Sequence, residues 1–278
     1  MMSSIISYVL QAVLLILPFV LPTFSIHDNG STLLTAVSLL FAILVGFFIA
    51  TTTSNYLRLQ TLIADSNAGL ISLYNLVKVI TPSREEEMGE AVDNYMITAL
   101  DYEFLDYADK TKKELGEVLG IVNSLEPEGE KGLALISEAH SRMDEILTNE
   151  QEIALTGKQI VTPRHWFIII LLAILLAVSL LSLTNGTVVA SLFVGVMFVA
   201  LFHILILIHD IDTNKFLSRQ LSFKDPQQIF QGIGRLPYYP QYALEKGYAK
   251  PERGNYRVGV YKNYPTSLEK KIEIVESK

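Results

Sequence analysis

Residues Leu33 to Thr51 read LLTAVSLLFAILVGFFIAT, an apolar run without one charged side chain. Three more runs share that character, at about Ile5 to Ile26, Trp166 to Leu183 and Val188 to Ile208, and none of the four contains Lys or Arg although the chain carries 22 such residues. Each is near the roughly 20 residues with which a helix crosses a hydrocarbon core. The expected fold is therefore all-α, an integral membrane protein with four transmembrane helices in two hairpins. The linkers inside the hairpins, His27 to Ser31 and Thr184 to Thr187, are rich in Asn, Gly, Ser and Thr, which stop helices and form tight turns. The first run lacks a basic leader and a small-x-small cleavage site, so it reads as a retained helix rather than a signal peptide. Pro18 and Pro22 are expected to kink or end it.

The cations set the orientation. Every Lys and Arg lies between Ser54 and Arg164 or after Asp210, with Arg58, Lys158, Arg164, Lys215 and Arg219 near the membrane ends. Positive side chains stay inside. The middle segment and the tail are expected in the cytoplasm of a multi-pass cell-membrane protein, and two crossings place the N-terminus there as well. The organisation is residues 1–53 as one hairpin, 54–163 as a helical cytoplasmic domain, 164–210 as the second hairpin and 211–278 as an aromatic-rich tail.

Within the middle, Leu59, Leu62, Ile63, Leu70, Leu73, Leu76, Val77 and Ile80 recur at helical spacing, so the second span continues into the cytoplasm as one long helix. Thr81-Pro82-Ser83 breaks it, and Ser83-Arg84-Glu85-Glu86 starts a helix expected to reach about Ala108. Two more follow, around Lys110 to Ser124 and Glu130 to Thr156. In the tail, Leu236-Pro237-Tyr238-Tyr239-Pro240 and later tyrosines are too aromatic for ordinary disorder. The alternation of Tyr256, Val258 and Val260, and of Ile272 and Ile274 with glutamates, predicts a short β-hairpin.

Composition narrows the function. A net charge of −7 with no basic stripe argues against nucleic acid as a partner. The absence of cysteine removes disulfides, thiolate catalysis and cysteine-held metals. No phosphate loop, HExxH, GxSxG or EF-hand pattern occurs, so no catalytic residue, cofactor or metal site is assigned. An intramembrane enzyme would rest on His203 and Gln11, with no nucleophile beside them. His203 lies inside the fourth span, where polar groups face protein or water, and His209, Asp210 and Asp212 cluster at its cytoplasmic end; all four are candidates for gating or ion contact.

The second span carries the strongest candidates. Phe41, Leu44 and Phe48 share a face at i, i+3 and i+7 and fit a hydrophobic pore neck that gates by dewetting. Apolar residues of a span more often face lipid or a neighbouring helix. Thr51, Thr52, Asn55 and Arg58 would give that neck a polar lining below.

The run Gly46-Phe47-Phe48-Ile49-Ala50-Thr51-Thr52-Thr53-Ser54-Asn55-Tyr56-Leu57-Arg58, with Leu70-Ile71-Ser72-Leu73-Tyr74, resembles the prokaryotic bestrophin-like membrane family. So do Asn94-Tyr95 with its downstream Glu103, Pro163-Arg164-His165-Trp166, and Asp210-Ile211-Asp212-Thr213-Asn214-Lys215-Phe216. The resemblance covers roughly residues 1 to 230. It implies a homo-oligomeric, pentameric ion channel whose second spans line a central pore, with itself, membrane lipid and a permeant inorganic ion as partners. The family's Pro-Phe pair and following glycine after the exit aspartate are absent here, as is the acidic run that makes the calcium clasp of bestrophins. Arg58 would favour anions, whereas the acids from Glu85 to Asp109 would favour cations if they line the vestibule. The competing reading is a non-conducting scaffold or sensor that binds partners through its cytoplasmic helices and tail.

Overall fold

The computed structural model describes residues 4–22, 30–102, 110–156, 162–184, 186–212 and 223–276. Among these the elements run α1 (Ser4–Val20), α2 (Gly30–Ile80), a 3-10 turn (Pro82–Arg84), α3 (Glu85–Asp101), α4 (Lys112–Asn123), α5 (Gly129–Thr156), α6 (Pro163–Leu181), α7 (Val188–Asp212), α8 (Lys224–Gly232), β1 (Tyr238–Pro240), α9 (Gln241–Glu245), β2 (Tyr256–Asn263) and β3 (Ser267–Val275). The chain forms two compact units, Met1–Ser54 with Gln159–Lys215, and Asn55–Lys158 with Phe216–Lys278.

In the first unit, α6, α7 and the early part of α2 belong to helices long and apolar enough to cross a membrane. Helix α1 is apolar but shorter, at 17 residues. It stops at Val20, two residues before Pro22, because a proline disfavours helical backbone at the residue preceding it. Four spans were expected; the described residues hold three helices of crossing length and this shorter one. The proposed turn residues His27, Asp28 and Asn29 lie outside the described residues, and Gly30 already belongs to α2. In the second turn Gly186 takes φ +79, a conformation glycine adopts without a Cβ clash. Helices α1 and α7 touch backbone to side: a Cβ on Gly195 would stand 2.5 Å from the Leu15 carbonyl oxygen. Small residues permit such close crossings in membranes.

Helix α2 is continuous for 51 residues, about 75 Å at 1.5 Å per residue. It passes through Thr51-Thr52-Thr53-Ser54 without a break, and hydroxyls there bond back to the preceding turn. Thr51 donates to the Phe47 carbonyl at 2.9 Å and Thr52 to that of Phe48 at 2.7 Å.

In the second unit, α2 ends where expected, at Ile80 before Thr81-Pro82. The Thr81 hydroxyl donates to the Glu126 carbonyl at 2.8 Å, and the Glu128 amide donates to Ile80 O at 2.8 Å. Three glutamates in the first turn of α3 suit its positive end. Arg84 donates to the Ile121 and Ser124 carbonyls at the end of α4, a cation at a negative helix terminus. Leu70, Leu73, Val77, Met88, Val92, Tyr95, Val118 and Ile146 form the shared core of α2 to α5. Helix α3 ends at Asp101 rather than near Ala108, since Tyr102 is extended; Ala108 itself lies outside the described residues, as do Lys158, Arg219 and the stretch Thr213 to Phe216.

The tail is more ordered than a lone hairpin. Strands β2 and β3 pair antiparallel with Gly259 opposite Ile272, and β1 joins β2 in parallel. The amide of Gln227 brackets Tyr238, accepting from its N–H at 2.9 Å and donating to its carbonyl at 3.0 Å. Two polar contacts seat this sheet on α3. Arg257 donates two bonds to Asp93, at 2.7 and 2.6 Å, with both side chains largely buried. Asp101, 1% exposed, accepts from Tyr238 at 2.7 Å, from Tyr261 and from Lys270. Burial pushes Tyr238 up to about 12 and raises Tyr261 well above the ordinary phenol range. Burial also pulls the Lys270 ammonium down to about 8, a pull that the adjoining Asp101 carboxylate opposes.

Two outcomes follow from this packing. The Tyr238 hydroxyl occupies the space of any Cβ at 259, so Gly259→Ala is expected to cost about 1–3 kcal/mol by overpacking, read as a lower midpoint in a thermal melt followed by near-UV circular dichroism. The folded chain keeps the Tyr238 proton to about 12, whereas the unfolded phenol loses it near 10.0. That contribution is whole below pH 10 and is lost as the pH rises toward 12. Tyrosinate absorbance with Tyr238→Phe as reference should show one late-titrating phenol fewer in the variant; identical curves would refute the assignment.

Candidate pore-lining helix

In a channel assembled from identical subunits, a pore-lining side chain must be free of its own subunit. Burial along the membrane half of α2 therefore sorts its faces. Val37, Phe41, Val45 and Phe48 are buried against Ile169, Ala173 and Leu176 of α6 and Val194, Phe198 and Ile208 of α7. Phe48 also meets the His165 ring, with centroids 5.2 Å apart. Phe41 and Phe48 thus pack into the core of their own unit, with Leu44 half-buried at its edge. The proposed neck residues do not form a free face.

The exposed arc lies on the opposite side. Leu39 (59%), Ile43 (63%) and Phe47 (63%) stand one turn apart in a bulky apolar ridge. Beside it, Thr35, Ala42, Gly46, Ala50 and Thr53 are exposed small side chains, and a Cβ on Gly46 would meet nothing within 4 Å. Hydropathy does not single this ridge out, because the run is apolar all round and its faces cannot be ranked. The alternation of small and bulky residues was the available signal.

The polar candidates separate as well. Thr52 is 2% exposed, and its hydroxyl proton is held by backbone carbonyls; Thr51 is half-buried. Asn55 is half-buried in the second unit. Arg58, in that unit too, pairs with Glu152 at 2.8 Å, so its charge is locally balanced.

At the end of α7, Asp212 is 3% exposed and accepts from the Trp166 indole N–H at 3.3 Å, while His209 packs its ring edge-on to Trp166 at 5.9 Å. Asp210 is half-buried. Among the described residues no three His, Asp or Glu side chains converge as cation ligands. His203 is bound to Val199 O through Nδ1 at 2.8 Å. Its Nε2 lies 3.4 Å from the Gln11 amide nitrogen, and Gln11 in turn donates to Ser7 at 3.2 Å. This chain of contacts joins α1 to α7 and contains no nucleophile poised by a base.

Phe48→Ala is expected to empty core volume and cost about 3–5 kcal/mol, lowering the thermal midpoint in detergent. Phe47→Ala should leave it nearly unchanged. Equal losses would contradict the sorting of faces.

Comparison with known proteins agrees with this architecture. Two crystal structures, each described as that of a membrane protein, share the fold: one with TM-score 0.57 and 12% identity, covering 83% of this chain and 98% of that one, the other with TM-score 0.55 and 11% identity, covering 82% and 97%. No curated protein matches the chain. The family model for the bestrophin-like domain matches residues 5–213. With three quarters of its length inside that domain, this chain belongs to the bestrophin-like family.

Proposed function

We propose that the protein is the subunit of a homo-oligomeric ion channel in which α2 helices surround a central pore. The carrying observation is the ridge of Leu39, Ile43 and Phe47, bulky, apolar and free of its own subunit on a helix whose other face is fixed in the core. Brought to one axis, these side chains make a hydrophobic constriction that opens and closes by wetting. The neighbouring stripe of Thr35, Ala42, Gly46, Ala50 and Thr53 suits close packing on the next copy, because small residues let helix backbones approach in a membrane. Five copies is the number the family resemblance implies. Thr53 and Ser54, exposed at the inner end of the ridge, supply hydroxyls to a partly dehydrated ion. The distribution of Lys and Arg supports an orientation with the helical middle and the tail in the cytoplasm of the cell membrane.

The test is ion flux from proteoliposomes, with chloride, sodium and potassium gradients compared against empty liposomes. The reading expects selective flux, and a higher single-channel conductance in Ile43→Ala/Phe47→Ala. No flux above the empty control would overturn it in favour of a membrane scaffold. Flux unchanged by the double substitution would move the constriction elsewhere.

A further inference from the structure

Strand β3 is the free edge of the tail sheet. The strand order is β1-β2-β3, so β3 is paired through β2 alone and its outer row of N–H and C=O groups has no partner strand among the described residues. It is long for an edge, at nine residues, and contains no proline. Such edges are templates for another strand, and proteins ordinarily blunt them with outward lysines, bulges or covering loops. Of its two lysines, Lys270 folds inward onto Asp101, and Lys271 stays outward with Glu273 beside it to neutralise its charge. Two isoleucines on the same face stay open, Ile272 at 42% and Ile274 at 64% exposure.

The charge pattern selects the partner. From Glu269 the strand reads Glu-Lys-Lys-Ile-Glu-Ile-Val. Two copies related by a two-fold axis through Ile272 pair antiparallel with Ile272 opposite Ile272, Lys271 opposite Glu273 twice, and Glu269 opposite Val275. Moving the axis to 271 sets Lys271 against Lys271 and Glu269 against Glu273. Moving it to 273 sets Glu273 against itself. Opposite charges directly across a strand pair stabilise it, and like charges destabilise it. Lys271 and Glu273 are on the face away from Lys270, and although they meet at 3.0 Å within one strand, their side chains are 80% and 49% exposed, so a facing copy can exchange that pair for two across the strands.

We propose that β3 is a homotypic docking edge, which joins two copies of this chain through an antiparallel β3–β3 pair centred on Ile272. A contact of this kind is isologous, with the same patch on both sides. It therefore adds to a cyclic arrangement about α2 rather than forming it, and links a chain of one ring to a chain of another. The affinity comes from main-chain bonds, as in other additions to a sheet edge, and the register from the Lys271–Glu273 pairs.

The chain has no cysteine, so single substitutions report the pairing directly. In the full-length protein in proteoliposomes, Ile272→Cys should form an intermolecular disulfide under mild oxidation, since the axis brings that position against itself. Leu268→Cys and Ile274→Cys, displaced from the axis, should cross-link far less. Lys271→Glu in the Ile272→Cys background should reduce the cross-link about tenfold by setting two like-charged pairs face to face, and adding Glu273→Lys should restore it. Cross-linking at 272 that ignores both charge changes, or equals that at 268 and 274, would overturn the proposal, as would none at 272. Because the readout is a covalent dimer, it is independent of whether the protein conducts.

Discussion

Both compact units are built on one helix. The stripe of α2 that carries Val37, Phe41, Val45 and Phe48 anchors the apolar unit, and the stripe that carries Leu70, Leu73, Val77 and Ile80 anchors the other. A side chain locked into one core cannot serve a second surface. That exclusion leaves Leu39, Ile43 and Phe47, with Leu40 beside them and Leu33 near the start of the helix, as bulky residues of the membrane half still open to partners. Through its run of hydroxyl residues α2 stays helical, with Thr51 and Thr52 bonded to the carbonyls one turn back, so these side chains find partners within their own helix.

The second unit holds its tail by polar bonds as well as by apolar packing, with Ile229, Phe230, Ile233 and Tyr238 buried in the core shared with α2 to α5. Arg257 grips Asp93 with two bonds, and Asp101 gathers two phenols and an ammonium. Buried charges are costly unless they are paired and hydrogen-bonded; here Asp93 has a two-pronged Arg257 and Asp101 has three donors. Geometry is therefore enforced: a tail in any other register would bury Asp93 and Asp101 without their donors. The aromatic composition of the segment acquires a physical reason, because Tyr238 and Tyr261 combine apolar bulk with a hydroxyl that reaches the carboxylate. The same seating folds Lys270 inward and leaves the outer edge of β3 open.

Sequence periodicity was a good guide wherever polar and apolar residues alternate. The long helix through Ile80, its break at Thr81-Pro82, the two later helices of the middle segment and the strands carrying Val258 and Ile272 all follow from spacing and turn chemistry. Periodicity failed inside the membrane run. There Phe47 and Phe48 are equally apolar neighbours on one helix, yet one is 63% and the other 4% exposed. The parallel strand β1 was also invisible, since its pairing depends on a contact between residues near 239 and 258 and on the bracketing amide of Gln227.

What the chain by itself determined is where most of its helices lie, the end of α3 excepted, which runs are apolar enough for a membrane, and where its cations lie. These are local properties, set by side-chain chemistry and by proline, glycine and hydroxyl residues at particular positions. What only the tertiary structure decided is which side of α2 is spent on the core, that Asp101 is the centre of a buried polar cluster, and that β3 has no second partner strand among the described residues. Each of these depends on residues far apart in sequence competing for the same space or the same lone pair, and no local pattern encodes the outcome of that competition.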